Sequence, residues 1–594
     1  MRRRTNGRHG THPGQWPVTL LCLGVLLLTA TVAWAQGGSG DQAAAYRSFP
    51  LIGGRIAVWA GAQLHLFFAA FILGVPIFAV IVEFIGWRAG DARYDWLARE
   101  FMKLTFAAFS ATALFGGLLV FLFITLYPRF FGYLVRIFEP TLWVYAGLFF
   151  VETFTLYLYY YGWDWLSGPR KWIHLLLGVF LNLSGTAILF VANAWLTFMM
   201  SPAGVDEAGK LISVWGAIHN PTWMPINIHR LIANVTFGGA VAAAYAAVRF
   251  LGAETDAERA QYDWMGYVGN FVAVSALLFL PFAGYWLGRE IYAFNQQMGI
   301  TMMGGFLSWL WIVQAILIGV LFLGANYYLW IGMGRIPGGE RYRGYIKYLL
   351  FVIAASFMVW ATPHSLVASM EEARRIGAAH HPLLGVLGVM SAKNTAVNMM
   401  ILTTFLSFLL YRRANRVATV SWWRIGMGVQ WAILGLAGAI VLFYGIYGYF
   451  VEAIVRIGFS VYQVLAVLGA VALVMLIDFR LFRGAKSTGQ IRWGSIPIRS
   501  QYVLILLAVT FTWLMGLMGF ARSAIRQHWH VYGIIRDTSP EAFTPALGYA
   551  ANVISAVTIV FLGLILFIFW LGGLGEKAKV PLPLVVPTEG SEVS

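Results

Sequence analysis

The chain has one cysteine, few charges and no polar stretch long enough to fold as a separate soluble domain. Of its 594 residues only 11% are Asp, Glu, Lys or Arg, less than half the roughly 25% of an ordinary soluble protein. The single cysteine, Cys22, lies in a segment, residues 1–35, that reads as a signal peptide. Arg2, Arg3, Arg4 and Arg8 precede an apolar run from Val18 to Ala30, and Ala33-Trp34-Ala35 closes it before Gln36. The alternative is an uncleaved first helix. Cleavage leaves a mature chain without cysteine, which excludes disulfides, thiolate-bound zinc, iron–sulfur clusters and covalent haem attachment through Cys-x-x-Cys-His. Any metal or haem must then be held by His, Met or carboxylate. A phosphate loop is absent too, because the glycine-rich Gly334-Arg-Ile-Pro-Gly-Gly reads as a turn with no strand before it.

What is abundant is apolar: 60% of the residues, with 16% aromatic and a mean hydropathy of +0.72. Thirteen apolar runs follow the signal, at 56–87, 104–127, 140–162, 172–200, 229–251, 264–287, 303–332, 348–370, 383–411, 425–447, 457–479, 500–521 and 549–572. Each is long enough to cross a bilayer as a helix. The expected fold is therefore all-α, a polytopic bundle of about thirteen membrane helices.

The formal charge of +16 could suggest a nucleic-acid partner, but its placement answers otherwise. With the mature N-terminus outside, the loops assigned to the cytoplasm carry 23 of the 41 Lys and Arg residues, and the outer segments carry 13. That is the positive-inside bias of a membrane protein. It puts the C-terminal tail, 576–594, in the cytoplasm and leaves no role for nucleic acid.

Several polar residues fall where a membrane penalises them. Eight of the eleven histidines lie on the outer half: His65 within helix one, His229 opening helix five, His364 near the end of helix eight, and His219, His380, His381, His528 and His530 in outer loops. A neutral imidazole can ligate haem iron without bringing charge into low dielectric, so this one-sided set points to haem or metal. His364, His380 and His381 together could also hold copper. Glu152 sits midway along helix three, where an ionised carboxylate facing lipid costs at least about 2.5 kcal/mol. It is expected to face the interior and to handle protons, or to stay protonated and hydrogen-bonded to a neighbouring helix. Glu83 and Asp164 lie nearer the cytoplasmic interface, where solvated acids are common, and His174 starts helix four. Trp163, Trp165, Trp422 and Trp423 read as an interfacial belt.

Some of these residues form runs that resemble subunit I of the cytochrome bd quinol oxidases. His65-Leu-Phe-Phe-Ala-Ala-Phe-Ile-Leu-Gly74 followed by Glu83 resembles the family's first helix. Phe149-Phe-Val-Glu152-Thr-Phe, Gly162-Trp-Asp164, Asn182-Leu-Ser184, Val191-Ala-Asn-Ala-Trp195, Ser201-Pro202 and Asn220-Pro221 ahead of His229 follow in the family's order. Later, Arg456-Ile457 and Arg526-Gln527-His528-Trp529 are similar to its Arg-Ile-Met and Gly-Arg-Gln-Pro-Trp. On this reading residues 36–300 are haem-binding helices one to six, 301–450 are four inserted helices, seven to ten, and 451–575 are the C-terminal helices.

The resemblance implies a haem protein of the inner membrane, with haem b and with haem d or a further haem. It implies a quinol or c-type cytochrome donor and a second membrane subunit. It makes His65 the ligand at the oxygen site, His229 a ligand of the low-spin haem b and Glu152 a carboxylate on the proton path beside the oxygen site, with Glu83 a further catalytic candidate and Arg456 and Arg526 candidates for binding the haems. The chain also departs from the family. The long outer quinol-binding loop after helix six is missing, Gly458 stands where a methionine ligand is expected, Val144 where a second glutamate is, and Ser523 where a ligating glutamate is. Met390, Met399 or Met400 of helix nine could replace the lost ligands. Two rivals to an oxidase follow: a haem b electron-transfer subunit without oxygen reduction, and a haem-free polytopic carrier.

Overall fold

The computed structural model describes residues 45–304, 307–361, 389–451, 453–542 and 547–573. Among the described residues thirteen helical spans are long and apolar enough to cross a membrane. In chain order they are α1 Gly54–Ala89, α2 Ala92–Leu126, α3 Pro128–Tyr161, α4 Lys171–Phe198 and α5 Trp223–Leu251. Then come α6 Asp256–Phe294, α7 Ser308–Gly332, α8 Glu340–Ala361 and α9 Val389–Arg413. The last four are α10 Trp423–Tyr447, α11 Ala453–Leu481, α12 Arg499–Ala524 and α13 Leu547–Gly573. They coincide one for one with the thirteen apolar runs. The signal segment and the C-terminal tail lie outside the described residues, as do His364, His380 and His381.

The loops rich in Arg and Lys, expected in the cytoplasm, define the inner end of the bundle. Two short strand pairs tie loops at opposite ends. β1 Arg416–Val417 pairs antiparallel with β2 Lys486–Ser487 at the inner end, and β3 Trp529–Val531 pairs antiparallel with β4 Ile535–Arg536 at the outer end.

Packing sorts the helices. α1 and α5 touch through backbone, because at Gly74 a Cβ would come within 2.0 Å of the Asn234 carbonyl oxygen. Gly239 of α5 and Gly269 of α6 meet in the same way, each lying against the other helix's backbone. Small residues let membrane helices approach closely and gain dispersion contacts that lipid cannot outcompete. Around this seam, buried Phe67, Phe68 and Phe71 of α1 pack with Phe237 of α5 and Phe561 of α13. α12 packs on α5 and α1, and α7 joins the bundle through α12.

Helix α9 reverses the usual pattern. Its window is the least apolar of the thirteen and the most buried, so its polar face, with Asn394, Asn398, Thr404 and Ser407, is turned inward among α7, α8, α10 and α11. At the inner end, buried Asp478 of α11 takes both Arg412 and Arg413, while buried Asp263 of α6 pairs with Arg335. A buried charge persists only when it is paired.

Two helices are interrupted. α6 breaks at Leu278 and Phe279, just before Pro281, whose ring cannot continue the hydrogen-bond ladder. α3 has a non-helical residue at Phe138, ahead of Pro140.

Candidate functional site

His65 lies on α1 facing α2. Its Nδ1 is 3.1 Å from the carbonyl oxygen of Thr112. A carbonyl can only accept, so Nδ1 carries the proton and the lone pair is left on Nε2. That tautomer is the one a metal-ligating histidine needs, with the distal nitrogen anchored to backbone. Opposite the ring stands Gly116, where a Cβ would come within 3.1 Å of the imidazole.

His229 lies in the first turns of α5, beside buried Asn227, whose Nδ2 has no hydrogen-bond partner. Both imidazoles are half-buried. The Arg230 charge reaches both of them, which brings the two histidines to one region.

The cationic groups here outnumber the anionic ones. Arg230 donates to the Asn193 side-chain oxygen at 2.6 Å, and Arg522 to the Leu196 carbonyl at 3.3 Å. Among the described residues neither has a carboxylate partner. Arg526 donates to the His530 carbonyl at 2.6 Å and to Ser523 Oγ at 3.4 Å. Burial, with Arg522 and Arg55 close by, lowers its pKa. Only Arg55 is paired, to Asp537 at 3.2 Å. A haem brings two propionates and an iron that seeks neutral nitrogen, so imidazoles beside unpaired guanidinium groups fit that group. His65 and His229 would each hold the iron of one haem, and Arg230 and Arg522 could neutralise propionates.

At the outer end His530 stacks on Phe130 at 4.6 Å and meets the Tyr127 ring edge-on at 4.9 Å. Burial pushes its pKa down to about 4 and pushes the Tyr127 hydroxyl up to about 12.

Glu152 is 6% exposed and faces α4: a Cβ at Gly185 would come within 2.9 Å of its Oε1. Val144, where the family has a second glutamate, is 53% exposed on the outside of α3.

The remaining sequence candidates lie elsewhere. Arg456 donates to the carbonyl oxygens of Gly448 and Val451 at 2.6 and 2.8 Å and so caps the end of α10. Met390, Met399 and Met400 are on α9, whose packing partners α7, α8, α10 and α11 carry neither His65 nor His229. Met399 packs against the apolar core. Among the described residues no group of three His, Cys, Asp or Glu is placed to hold a metal ion.

Two expectations change. Glu83, read as a solvated interfacial acid, is 0% exposed. It contacts Tyr159, Lys171 and His174, which come from two other helices. Trp163, read as part of the headgroup belt, is 2% exposed and donates to Asp95 at 2.9 Å. Trp165, Trp422 and Trp423 are exposed, and Asp164 is solvated, bound to Arg99. No sequence signal marked Arg230 or Arg522, which stand out only by what they lack as partners.

A family model described as cytochrome bd terminal oxidase subunit I matches residues 54–580. Among solved structures, the bd oxidase from Geobacillus thermodenitrificans is similar at 16% sequence identity, over 72% of this chain and 97% of that one, with a TM-score of 0.39. No curated protein matches the chain in sequence.

Proposed function

The chain belongs to the cytochrome bd terminal oxidase subunit I family, and from that membership and the site's geometry we propose that it reduces oxygen with electrons from quinol. The observation that carries this reading is His65, whose Nδ1 is committed to the Thr112 carbonyl so that Nε2 is free for iron. Haem iron, when bound, supplies the electron relay and the oxygen-binding centre.

The chain's own residues do the rest. His229 would hold a second iron, and Arg230 and Arg522 would neutralise the anionic groups such a cofactor brings. Glu152 is buried on α3 with apolar neighbours outside it, which suits a carboxyl that keeps its proton until the oxygen site takes it. Between α6 and α11 a cavity of about 410 Å³ is lined by Phe282, Trp286, Arg289, Gly458 and Tyr462. Its aromatic walls suit a quinol ring, and it is lined by the last turns of helix six, just before the point where the family's quinol loop is missing. Trp143, Phe150 and Phe154 are exposed on α3, an apolar face suited to the second membrane subunit.

Ser523 supports the second reading, a haem b electron-transfer subunit. Its hydroxyl sits near Arg526 and Arg55 where the family places a ligating carboxylate. Carbon monoxide separates the two readings. An oxidase has an open iron position at His65, so the reduced purified protein shows a carbon monoxide difference spectrum that His65→Ala abolishes. A wild-type spectrum unchanged by the gas supports the electron-transfer subunit instead.

A further inference from the structure

We propose that Glu83 and His174 form the proton-loading site through which this chain draws protons from its inner end toward Glu152; the proposal rests on the oxidase reading. The two residues are 91 positions apart on α1 and α4, and both are 0% exposed. His174 Nε2 lies 2.8 Å from the Tyr159 carbonyl oxygen. Because that oxygen can only accept, Nε2 carries a hydrogen. His174 Nδ1 lies 2.5 Å from Glu83 Oε1, a contact that needs a proton between its atoms.

That proton has two homes. It can sit on the ring, giving imidazolium and carboxylate, or on Glu83, giving a carboxylic acid that donates to a neutral ring. Both further partners of Glu83 are donors. Tyr159 donates its hydroxyl to Glu83 Oε2, and Lys171 Nζ lies 2.6 Å from Oε1. The proton therefore crosses the contact without any side chain turning.

An entry leads to this pair. Lys171 also binds Asp95, whose side chain is 37% exposed at the inner end. Trp163 holds Asp95 through its ring nitrogen and lies under the Lys171 ammonium, 4.8 Å from ring centre to Nζ. Arg99 and Asp164 pair separately at the surface. The groups that face the pair are thus Asp95 from α2, Tyr159 from α3 and Lys171 from α4.

An exit points inward. Glu152, Thr155 and Tyr159 are buried and spaced along one face of α3, with about 10 Å of helix rise between the two ends. Gly185 of α4 lies against Glu152 and Gly178 of α4 against Tyr159. Between them on α4, Asn182 has a buried Oδ1 with no hydrogen-bond partner, an acceptor placed for a bridging water. A plain ion pair of Glu83 with Lys171 needs neither the buried imidazole nor this ladder.

The test is Glu83→Gln in the purified holoprotein with its partners. Oxygen consumption per bound haem should fall by about a hundredfold, the scale of a lost proton-transfer group. Reduction of the haems without oxygen should keep its wild-type rate. A pH-indicator dye, followed while reduced protein is mixed with oxygen, should show proton uptake slowed to match. Asp95→Asn, at a partly exposed site, covers the case in which Glu83→Gln does not assemble; it should slow uptake and shift the pH profile of turnover. If Glu83→Gln lowers only haem content, with turnover per haem and its pH profile intact, the pair is structural and the proposal is overturned. Wild-type turnover in Asp95→Asn overturns it as well. A wild-type protein that consumes no oxygen refutes the oxidase reading itself and takes this proposal with it.

Discussion

At the scale of single residues, chemistry is set by which atom of a side chain is already committed. The backbone carbonyl of Thr112 fixes the His65 tautomer, and His229 stands beside Arg230 without such an anchor. Substituting each should therefore have a different effect. His229→Ala should remove a low-spin b-type signal from the reduced-minus-oxidised spectrum and leave carbon monoxide binding at His65; a retained low-spin signal contradicts the assignment. Glu152→Gln keeps the shape of the side chain and removes its ionisable proton. Oxygen consumption should fall by about a hundredfold or more while the His229 haem still reduces, and unchanged turnover would demote Glu152 to a hydrogen-bonding residue.

His65 and Glu152 stood out in the sequence as candidates because an imidazole and a carboxylate inside apolar runs are expensive and therefore noticeable. Glu83 was misjudged because its distance from a helix end was read as access to water. Its three partners come from α3 and α4, and periodicity on α1 cannot show them. Arg230 was illegible for the same reason: a guanidinium near a helix end looks solvated until its neighbours are known.

At the scale of elements, the thirteen helices were legible because the bilayer imposes one length on every crossing. Their contacts were not. Gly74 belongs to a run that marked α1 by resemblance, yet its physical role is to let α1 touch α5. Gly74→Val should push the Asn234 backbone away at a cost of about 1–3 kcal/mol or more, the usual range for overpacking. A thermal shift assay should show a lower unfolding temperature and weaker haem retention, and a wild-type melting curve would contradict the contact.

His530, stacked on Phe130 at the outer end, titrates. His530 has its pKa depressed from 6.5 to about 4 by burial, so the folded state favours the neutral ring. The stability it contributes is complete above the unfolded value of about 6.5 and is lost as pH falls toward 4. Thermal unfolding measured across that window should show a steeper acid loss in wild type than in His530→Phe, which keeps the stack on Phe130 and Tyr127. Parallel curves would mean that His530 is not the titrating group. The break in α6 at Leu278 was missed in the sequence, although Pro281 stood inside the apolar run as a signal for it.

At the scale of the whole molecule, one end gathers Arg and Lys in its loops and pairs its deepest carboxylates with them, while His65, His229 and His530, with Arg230 and Arg522, collect toward the other. The positive-inside rule assigns the first end to the cytoplasm. Cysteines introduced in the Arg412 to Arg424 loop should be labelled only from the cytoplasmic face, and labelling from outside would reverse the whole topology, including the side from which protons enter. The family was legible from ordered motifs in helices one to six. The four helices α7 to α10 were legible only as helices, because their polar residues, such as Asn326 with Thr404 and Asn394 with Ser460, find partners across helices and have no counterpart in those motifs. The central claim is that this arrangement reduces oxygen. Its most direct test is an oxygen electrode trace of the purified wild-type protein with its partner subunits and a reduced quinol: the account predicts sustained oxygen consumption that carbon monoxide inhibits, and a flat trace from a haem-loaded, quinol-reducible preparation would contradict it.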